Sequence, residues 1–130
     1  MKANIEKHIP RAIQQIDSYY TANHNNPITK EYKGYLSSLG ASIIMSGLLP
    51  TLAVYYAEES NSKADRRKVI NWVYEIIISL PFFNNCNGKP DLFKYAIDVK
   101  DDRYKTDRLI EEILNISIAL KLSIRTFPLV

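Results

Sequence analysis

The sequence predicts an all-α fold, a compact single-domain bundle of five to six helices that spans residues 1–130. Apolar residues recur at intervals of three and four along most of the chain, which is the period of a helix with one buried face. No segment alternates strictly between apolar and polar residues, as a half-buried strand would. Four glycines are also too few for a turn-rich β architecture. The length of 130 residues suits one domain with one core.

The first helix is indicated by Ile5, Ile9, Ile13 and Ile16, which follow one another at one-turn spacing. Pro10 lies inside this pattern. Either it kinks the helix, or the regular helix starts there with Pro10 in its first turn. The asparagine-rich run 23–27 then ends the helix, because such sequence before a proline favours turns.

The middle of the chain, residues 35–59, has no charged residue between Lys33 and Glu58. We expect it to be buried on most sides, against the rest of the protein or against a partner. A membrane-spanning helix is not expected, because serines interrupt the run and Gly47 followed by Pro50 makes a stop and a restart.

Two helices meeting at a tight corner are therefore predicted, one over residues 29–46 and one beginning near Leu49 with Pro50 at its first position. Gly40 in the middle of the first costs about 1 kcal/mol relative to alanine, so it predicts a close helix crossing. The expected core stripe, with its widening positions last, comprises Tyr32, Leu36, Leu39, Ile43, Tyr35, Ile44 and Met45.

The fourth helix is expected to open with Ser62 and Asp65 in a capping arrangement and to end at Pro81. Its apolar positions fit the helical period and comprise Val69, Trp72, Val73, Ile76, Ile77 and Leu80. A loop then leads to a short helix over residues 91–97. The last helix is predicted over residues 101–125, with aspartates at its start and basic residues at its end, as the helix dipole favours.

No residues combine into a recognisable catalytic or metal site. His8 and His24 have no carboxylate or cysteine at ligand spacing, and Cys86 has no cation or second cysteine beside it. Asp98, Asp101 and Asp102 are neutralised by interspersed basic residues and suit a helix start. We therefore expect no enzyme activity, no metal and no cofactor. One cysteine and no visible targeting segment indicate a cytoplasmic protein.

Basic residues are the remaining candidates for a binding function. The net charge of +3 leans toward an acidic partner without requiring one. The candidate nucleic-acid-binding residues are Lys30, Lys33, Lys63, Arg66, Arg67, Arg103, Arg108, Lys121 and Arg125. Each small group also fits an ordinary solvated helix face. Folding has to bring the groups together before they form one patch.

The order and spacing of these features resemble the small α-helical subunit of the type III-B CRISPR effector, the Cmr complex. The resemblance covers most of the chain. In the central run it is carried by Tyr32-Lys33, Leu39-Gly40, Ile43-Ile44, Gly47-Leu48 and Ala53-Val54-Tyr55, and in the last helix by Tyr104, Arg108, Leu120-Lys121 and Arg125. Two positions depart from the family pattern. Gly40 replaces the usual proline, and Leu49-Pro50 replaces the small and polar residues that commonly follow Gly-Leu.

The resemblance implies a non-catalytic structural subunit of an antiviral ribonucleoprotein. Copies would pack head-to-tail beside the guide RNA and its paired target RNA and touch backbone phosphates. The implied partners are other Cmr subunits, especially the backbone subunit, further copies of the chain, and both RNAs, with no membrane. Guide pairing would read the sequence, so the protein need supply only shape and positive charge.

Two other functions stay open on the sequence. In the first, the chain is a helical protein-interaction adaptor whose apolar faces bind a partner protein and whose lysines are ordinary surface. In the second, the chain is a small helical nuclease, which is disfavoured because no histidine lies where a catalytic pair or metal cluster needs it.

Overall fold

Seven α-helices and no β-strand occur in the part of the chain that the computed structural model describes, residues 2–57 and 64–130. The helices are α1 (Lys2–Glu6), α2 (Ile9–Ala22), α3 (Lys30–Ser46), α4 (Leu48–Tyr56), α5 (Arg66–Ile78), α6 (Leu92–Asp98) and α7 (Arg103–Ile124). The all-α prediction is confirmed. None of the described helices is both long and apolar enough to cross a membrane.

The predicted count of five to six helices is wrong because the first predicted helix is two helices. The chain breaks between α1 and α2, and α2 starts at Ile9 with Pro10 in its first turn. Proline is tolerated there because the first amide groups of a helix have no partner within it. The apolar stripe is also narrower than predicted, since Ile16 is fully buried whereas Ile13 is exposed.

Helix α7 forms the centre of the core. The predicted stripe of Leu109, Ile113, Ile116 and Leu120 is completely buried. Helix α2 lies parallel to α7, because His8, just before α2, contacts Glu112 and Tyr20, near its end, packs on Phe127. Helix α3 runs antiparallel to α7, because Gly40 packs on Leu114 in the middle of α7 while Lys30, at the start of α3, bonds to Val130 beyond the end of α7.

Gly40 lies where α3 crosses α7, and a methyl group built on it would approach the Leu114 side chain to 3.2 Å. Nearer the start of α3, the Lys30 amide donates to the Val130 carbonyl at 3.0 Å. An isolated β-bridge between Ile28 and Leu129 extends this connection. The close crossing predicted from Gly40 is confirmed, and its packing offsets the poor helix propensity of glycine.

The predicted corner between two helices lies at Gly47, whose φ of 94° suits glycine and disfavours residues with a Cβ atom. Pro50 is the third residue of α4 and not the first, but its missing amide is still among those without a partner within the helix.

Two residues expected in the core stripe of α3 are instead exposed at this corner. Ile44 is 73% exposed and Met45 is 85% exposed, and Val54 on α4 is 53% exposed. Part of the uncharged central run is therefore buried within the chain, and part of it is exposed at the surface. We define these three residues as the apolar corner.

Three aspartates cap the later helices. The side chains of Asp65, Asp91 and Asp102 accept backbone amide hydrogen bonds at the starts of α5, α6 and α7. Helix α7 thus begins slightly later than predicted, because Asp102 is its cap. Ser62, the other half of the predicted capping arrangement, lies outside the described residues.

The predicted loop before α6 has an unusual backbone. Within Pro81–Gly88, the four residues from Asn84 to Asn87 have φ values between 47° and 55°. Asparagine tolerates this left-handed conformation better than most residues. Contacts hold the turn, since Asn87 Nδ2 donates to Asp98 Oδ2 at 2.9 Å and the Tyr74 hydroxyl donates to the Lys89 carbonyl.

A buried polar pair joins the start of α2 to α7. The nitrogen Nε2 of His8 lies 3.1 Å from Glu112 Oε1, and both side chains are almost fully buried. Lys7 Nζ lies 3.5 Å from the other carboxylate oxygen. Because a buried carboxylate without partners is costly, this contact specifies how the first two helices dock.

Replacing Trp72 with alanine is expected to lower the free energy of unfolding by about 3–5 kcal/mol, because its side chain is 3% exposed and the change leaves a cavity. Chemical denaturation followed by circular dichroism measures this. Ile44→Ala is the control and should change stability by less than about 0.5 kcal/mol, since the residue is exposed. Equal losses in the two variants would contradict this packing.

Replacing Glu112 with alanine should destabilise the protein by about 2 kcal/mol, because His8 then loses a buried hydrogen-bond partner. The matched control is Glu111→Ala on the neighbouring, exposed position of α7. Thermal melts of the two variants make the comparison. A Glu111→Ala loss as large as that of Glu112→Ala would show that the buried pair does not secure the helix junction.

Candidate nucleic-acid interface

Four helix ends meet at one end of the molecule and carry most of the candidate basic residues. The end of α2, the start of α3 and the end of α7 are joined by the Tyr20–Phe127 ring contact and the Lys30–Val130 hydrogen bond. The start of α5 joins them, since the Asp65 amide donates to the Tyr32 hydroxyl at 3.2 Å. We call this the basic end.

Lys30 and Lys33 open α3 at the basic end, and Lys121 and Arg125 close α7 there. Lys30 and Arg125 are exposed, whereas Lys33 and Lys121 are half-buried. Half-burial suits lysine, whose aliphatic stem packs while its ammonium group reaches water. Among residues 2–57 and 64–130, no carboxylate lies within 4.0 Å of any of these four cations.

Arg66 and Arg67 lie in the first turn of α5, and each contacts a neighbouring side chain. The Arg66 guanidinium lies over the Tyr55 ring, 5.9 Å from its centre. Arg67 Nε donates to Asp65 Oδ1 at 3.1 Å, and the hydrogen bonds from Arg67 outweigh burial and lower the pKa of that carboxyl group. Lys63, which was predicted to join them, lies outside the described residues.

Aromatic side chains support the basic end from inside. Tyr19 packs edge-to-face on Tyr32 and on Trp72, with ring centres 5.5 and 5.6 Å apart. Tyr55 donates to the Tyr35 carbonyl at 2.8 Å. Burial raises the pKa of Tyr32 to about 12, so its hydroxyl stays neutral and hydrogen-bonded near neutral pH. The cluster therefore links α2, α3, α4 and α5 without adding negative charge.

The structure separates Arg103 and Arg108 from the basic end. They lie in the first two turns of the 22-residue α7, so Arg103 is about 33 Å from Arg125 along the helix axis. The Arg103 side chain is 93% exposed and lies 3.9 Å from Asp107. Arg108 lies 4.4 Å from the centre of the Phe82 ring and lines a cavity with Glu111 and Glu112.

Sequence reasoning missed Lys68, which lies at the basic end with its ammonium group 5.6 Å from the centre of the Tyr19 ring. The run Arg66-Arg67-Lys68 was the available signal. Consecutive residues point in different directions around a helix, so the sequence did not indicate that Arg66 and Lys68 both lie against rings of one aromatic cluster.

The histidines and the cysteine, which are residue types often used in catalysis, are not arranged as a catalytic site among the described residues. His8 is buried against Glu112, while His24 lies in an exposed turn with φ near 59°. Cys86 is fully buried, and burial raises the pKa of its thiol to about 11. Over the described ranges, no three histidine, cysteine or acidic residues are grouped so that they could hold a metal ion.

A comparison with known protein families gives one match over most of the chain. The model of the family described as CRISPR-associated protein (Cas_Cmr5) matches residues 5–122. No curated protein and no solved structure matches the chain. The match includes both arms of the apolar corner and all but the last of the basic-end residues. The chain therefore belongs to the Cmr5 family and is a small subunit of a type III-B CRISPR complex, the Cmr complex.

Proposed function

We propose that this chain is a non-catalytic structural subunit of a Cmr ribonucleoprotein in antiviral defence, and that it contacts RNA backbone phosphates through its basic end. Copies of the chain pack head-to-tail along the duplex of guide RNA and target RNA. The observation that carries this proposal is the family match over residues 5–122, which identifies the complex to which the chain belongs.

The phosphate contact is supported by the charge distribution. Lys30, Lys33, Lys121 and Arg125 come from two helices and share one end of the molecule, without carboxylates at ion-pair distance among the described residues. Such cations are available to neutralise phosphates and to release the counterions that surround a nucleic acid. Backbone contacts position a protein on RNA without reading its sequence, which suits a complex whose guide supplies the specificity.

Contact with neighbouring subunits is supported by exposed apolar side chains on two different elements. The apolar corner lies at the junction of α3 and α4, and Ile118 and Leu122 are exposed one turn apart on α7. Exposed apolar groups of this kind commonly mark protein contacts. A head-to-tail arrangement needs two different surfaces on each copy, and these two patches are the ones we assign to it.

A non-catalytic role fits the positions of the potentially reactive side chains. His8 is occupied by Glu112 and closed off from solvent, and the thiol of Cys86 is buried with a raised pKa. Acid–base or nucleophilic catalysis requires groups that reach a bound substrate. Target cleavage therefore belongs to another subunit of the complex.

The second candidate function is a protein-interaction adaptor without RNA contact. The apolar corner favours it, because Met45 and Ile44 are suited to packing against a partner protein. The two functions predict different affinities for RNA: only an RNA-contacting subunit should bind RNA in a way that depends on salt and on the basic residues.

Co-expression with the other Cmr-type subunits and a guide RNA tests the assignment directly. We expect the chain to co-purify in a ribonucleoprotein, and its absence from that particle would overturn the proposed function. Met45→Asp is expected to reduce incorporation at least tenfold, because it places a charge in the apolar corner. The matched control is Gln14→Asp on the exposed side of α2, which should assemble normally with an unchanged melting temperature.

Neutralising the basic end is expected to weaken RNA binding by the assembled complex. The variant combines Lys30→Gln, Lys33→Gln, Lys121→Gln and Arg125→Gln. If each cation meets one phosphate, the slope of log affinity against log salt concentration should fall by roughly 3 to 3.5. Titrations of labelled RNA at several salt concentrations measure the slope.

The control variant removes the same amount of charge elsewhere, on α6 and around the start of α7, with Lys94→Gln, Lys100→Gln, Arg103→Gln and Lys105→Gln. It should keep the salt slope of the wild-type complex. Equal effects in the two variants would show that net charge matters and position does not. No effect in either variant would favour the adaptor.

A further inference from the structure

A polar groove runs between the second half of α2 and the face of α5 that carries Lys68, Asn71, Trp72 and Glu75, next to the basic end. It encloses about 470 Å³. This volume lies in the range of sites that bind small ligands or parts of larger ones. Its hydrogen-bonding side chains are Gln15, Ser18, Asn23, Lys68, Asn71 and Glu75.

The floor of the groove is rigid because Tyr19 and Trp72 belong to the aromatic cluster that links the helices. Lys68 is held at one end of the groove over the Tyr19 ring. Asn23 Nδ2 donates to the Tyr19 carbonyl at 2.8 Å, which holds this amide at the rim. The polar groups therefore converge on a preformed surface.

Opposite charges make the two ends of the groove electrostatically different. Lys68 and Glu75 are seven residues apart on α5, about 10.5 Å along the helix axis. An anionic group is attracted to the lysine end and repelled from the glutamate end. The Ser18 hydroxyl and the Asn71 amide also line the groove, and each can both donate and accept hydrogen bonds.

A ribose–phosphate unit of RNA combines the matching groups. Its phosphate pairs with an ammonium, and its 2′-hydroxyl both donates and accepts hydrogen bonds. Apolar peptide anchors do not suit the groove, because they would leave its amide, hydroxyl and charged side chains without hydrogen-bond partners. Lys68 follows Arg66 and Arg67 in the first turn of α5, so the lysine end of the groove lies beside the basic end and a strand bound there can enter the groove.

We propose that this groove binds the sugar–phosphate backbone of RNA, with its phosphate at Lys68 and its 2′-hydroxyl at Ser18 and Asn71, and that it makes the chain prefer RNA to DNA. This inference rests on the proposed function, because it assigns a second contact to the same nucleic acid. The basic end supplies affinity for either nucleic acid, and the groove supplies the discrimination between them.

The test compares the assembled complex carrying wild-type chain with one carrying Ser18→Ala and Asn71→Ala. The probes are a labelled RNA strand paired to the guide and the DNA strand of the same sequence. The double variant should lose about tenfold in affinity for RNA and less than twofold for DNA, as expected for two lost hydrogen bonds. The matched control, Gln14→Ala on the exposed side of α2, should change neither affinity.

The possible outcomes separate this inference from the proposed function. Equal losses for RNA and DNA, or no loss for either, would overturn the role of the groove while leaving phosphate binding by the basic end intact. A wild-type chain that fails to enter the ribonucleoprotein would overturn the proposed function itself. Circular dichroism melts of the double variant check that any loss does not arise from unfolding, and Asn71→Ser with Ser18→Thr should restore part of the RNA preference.

Discussion

The burial of α7 is the constraint on which the rest of the structure depends. Its apolar side is completely enclosed, with α2 parallel and α3 antiparallel to it. Contacts at its middle and just beyond its C-terminal end hold these neighbours in register, through Glu112 with His8 and through the Ile28–Leu129 bridge. Because a long buried helix is rigid, groups at its two ends are kept about 33 Å apart.

That separation gives the molecule two ends with different surfaces. Lys121 and Arg125 end α7 beside the start of α3, and this antiparallel arrangement places Lys30 and Lys33 with them. The far end of α3 carries the apolar corner, about 21 Å from Lys30 along the helix. In the proposed assembly, the basic end contacts phosphates and the apolar corner is one of the two patches that contact protein, so a single copy can bridge RNA and a neighbouring subunit.

A net charge of +3 is modest for a protein that we propose to contact RNA. In an assembly with several copies, each copy adds its own weak contacts, and linked contacts reinforce one another without a strong individual site. Under the proposed function, a small positive charge on each copy is sufficient because the contacts are repeated. In the proposed assembly, affinity comes from repeated contacts and sequence recognition comes from base pairing of the guide.

The sequence by itself determined the helical class, most helix positions and the family, because these depend on local periodicity, caps and corner residues. The apolar stripe of α7 is buried as the spacing of Leu109, Ile113, Ile116 and Leu120 predicts. Gly40 lies at the close crossing of α3 and α7, which the poor helix propensity of a mid-helix glycine predicted. These features need only residues close in the chain. Where the prediction was wrong, as in the number of helices, the competing effect was the ease with which Pro10 starts a new helix.

Only the tertiary structure decided which residues come together. Ile44 and Met45 continue an apolar pattern yet face solvent, since the turn at Gly47 directs α4 away from them. The basic groups were evident in the sequence, but their division between two ends was not. Charge and hydrophobicity are properties of single residues, whereas a patch depends on the packing directions of α3, α5 and α7, which arise from contacts between residues far apart in the chain.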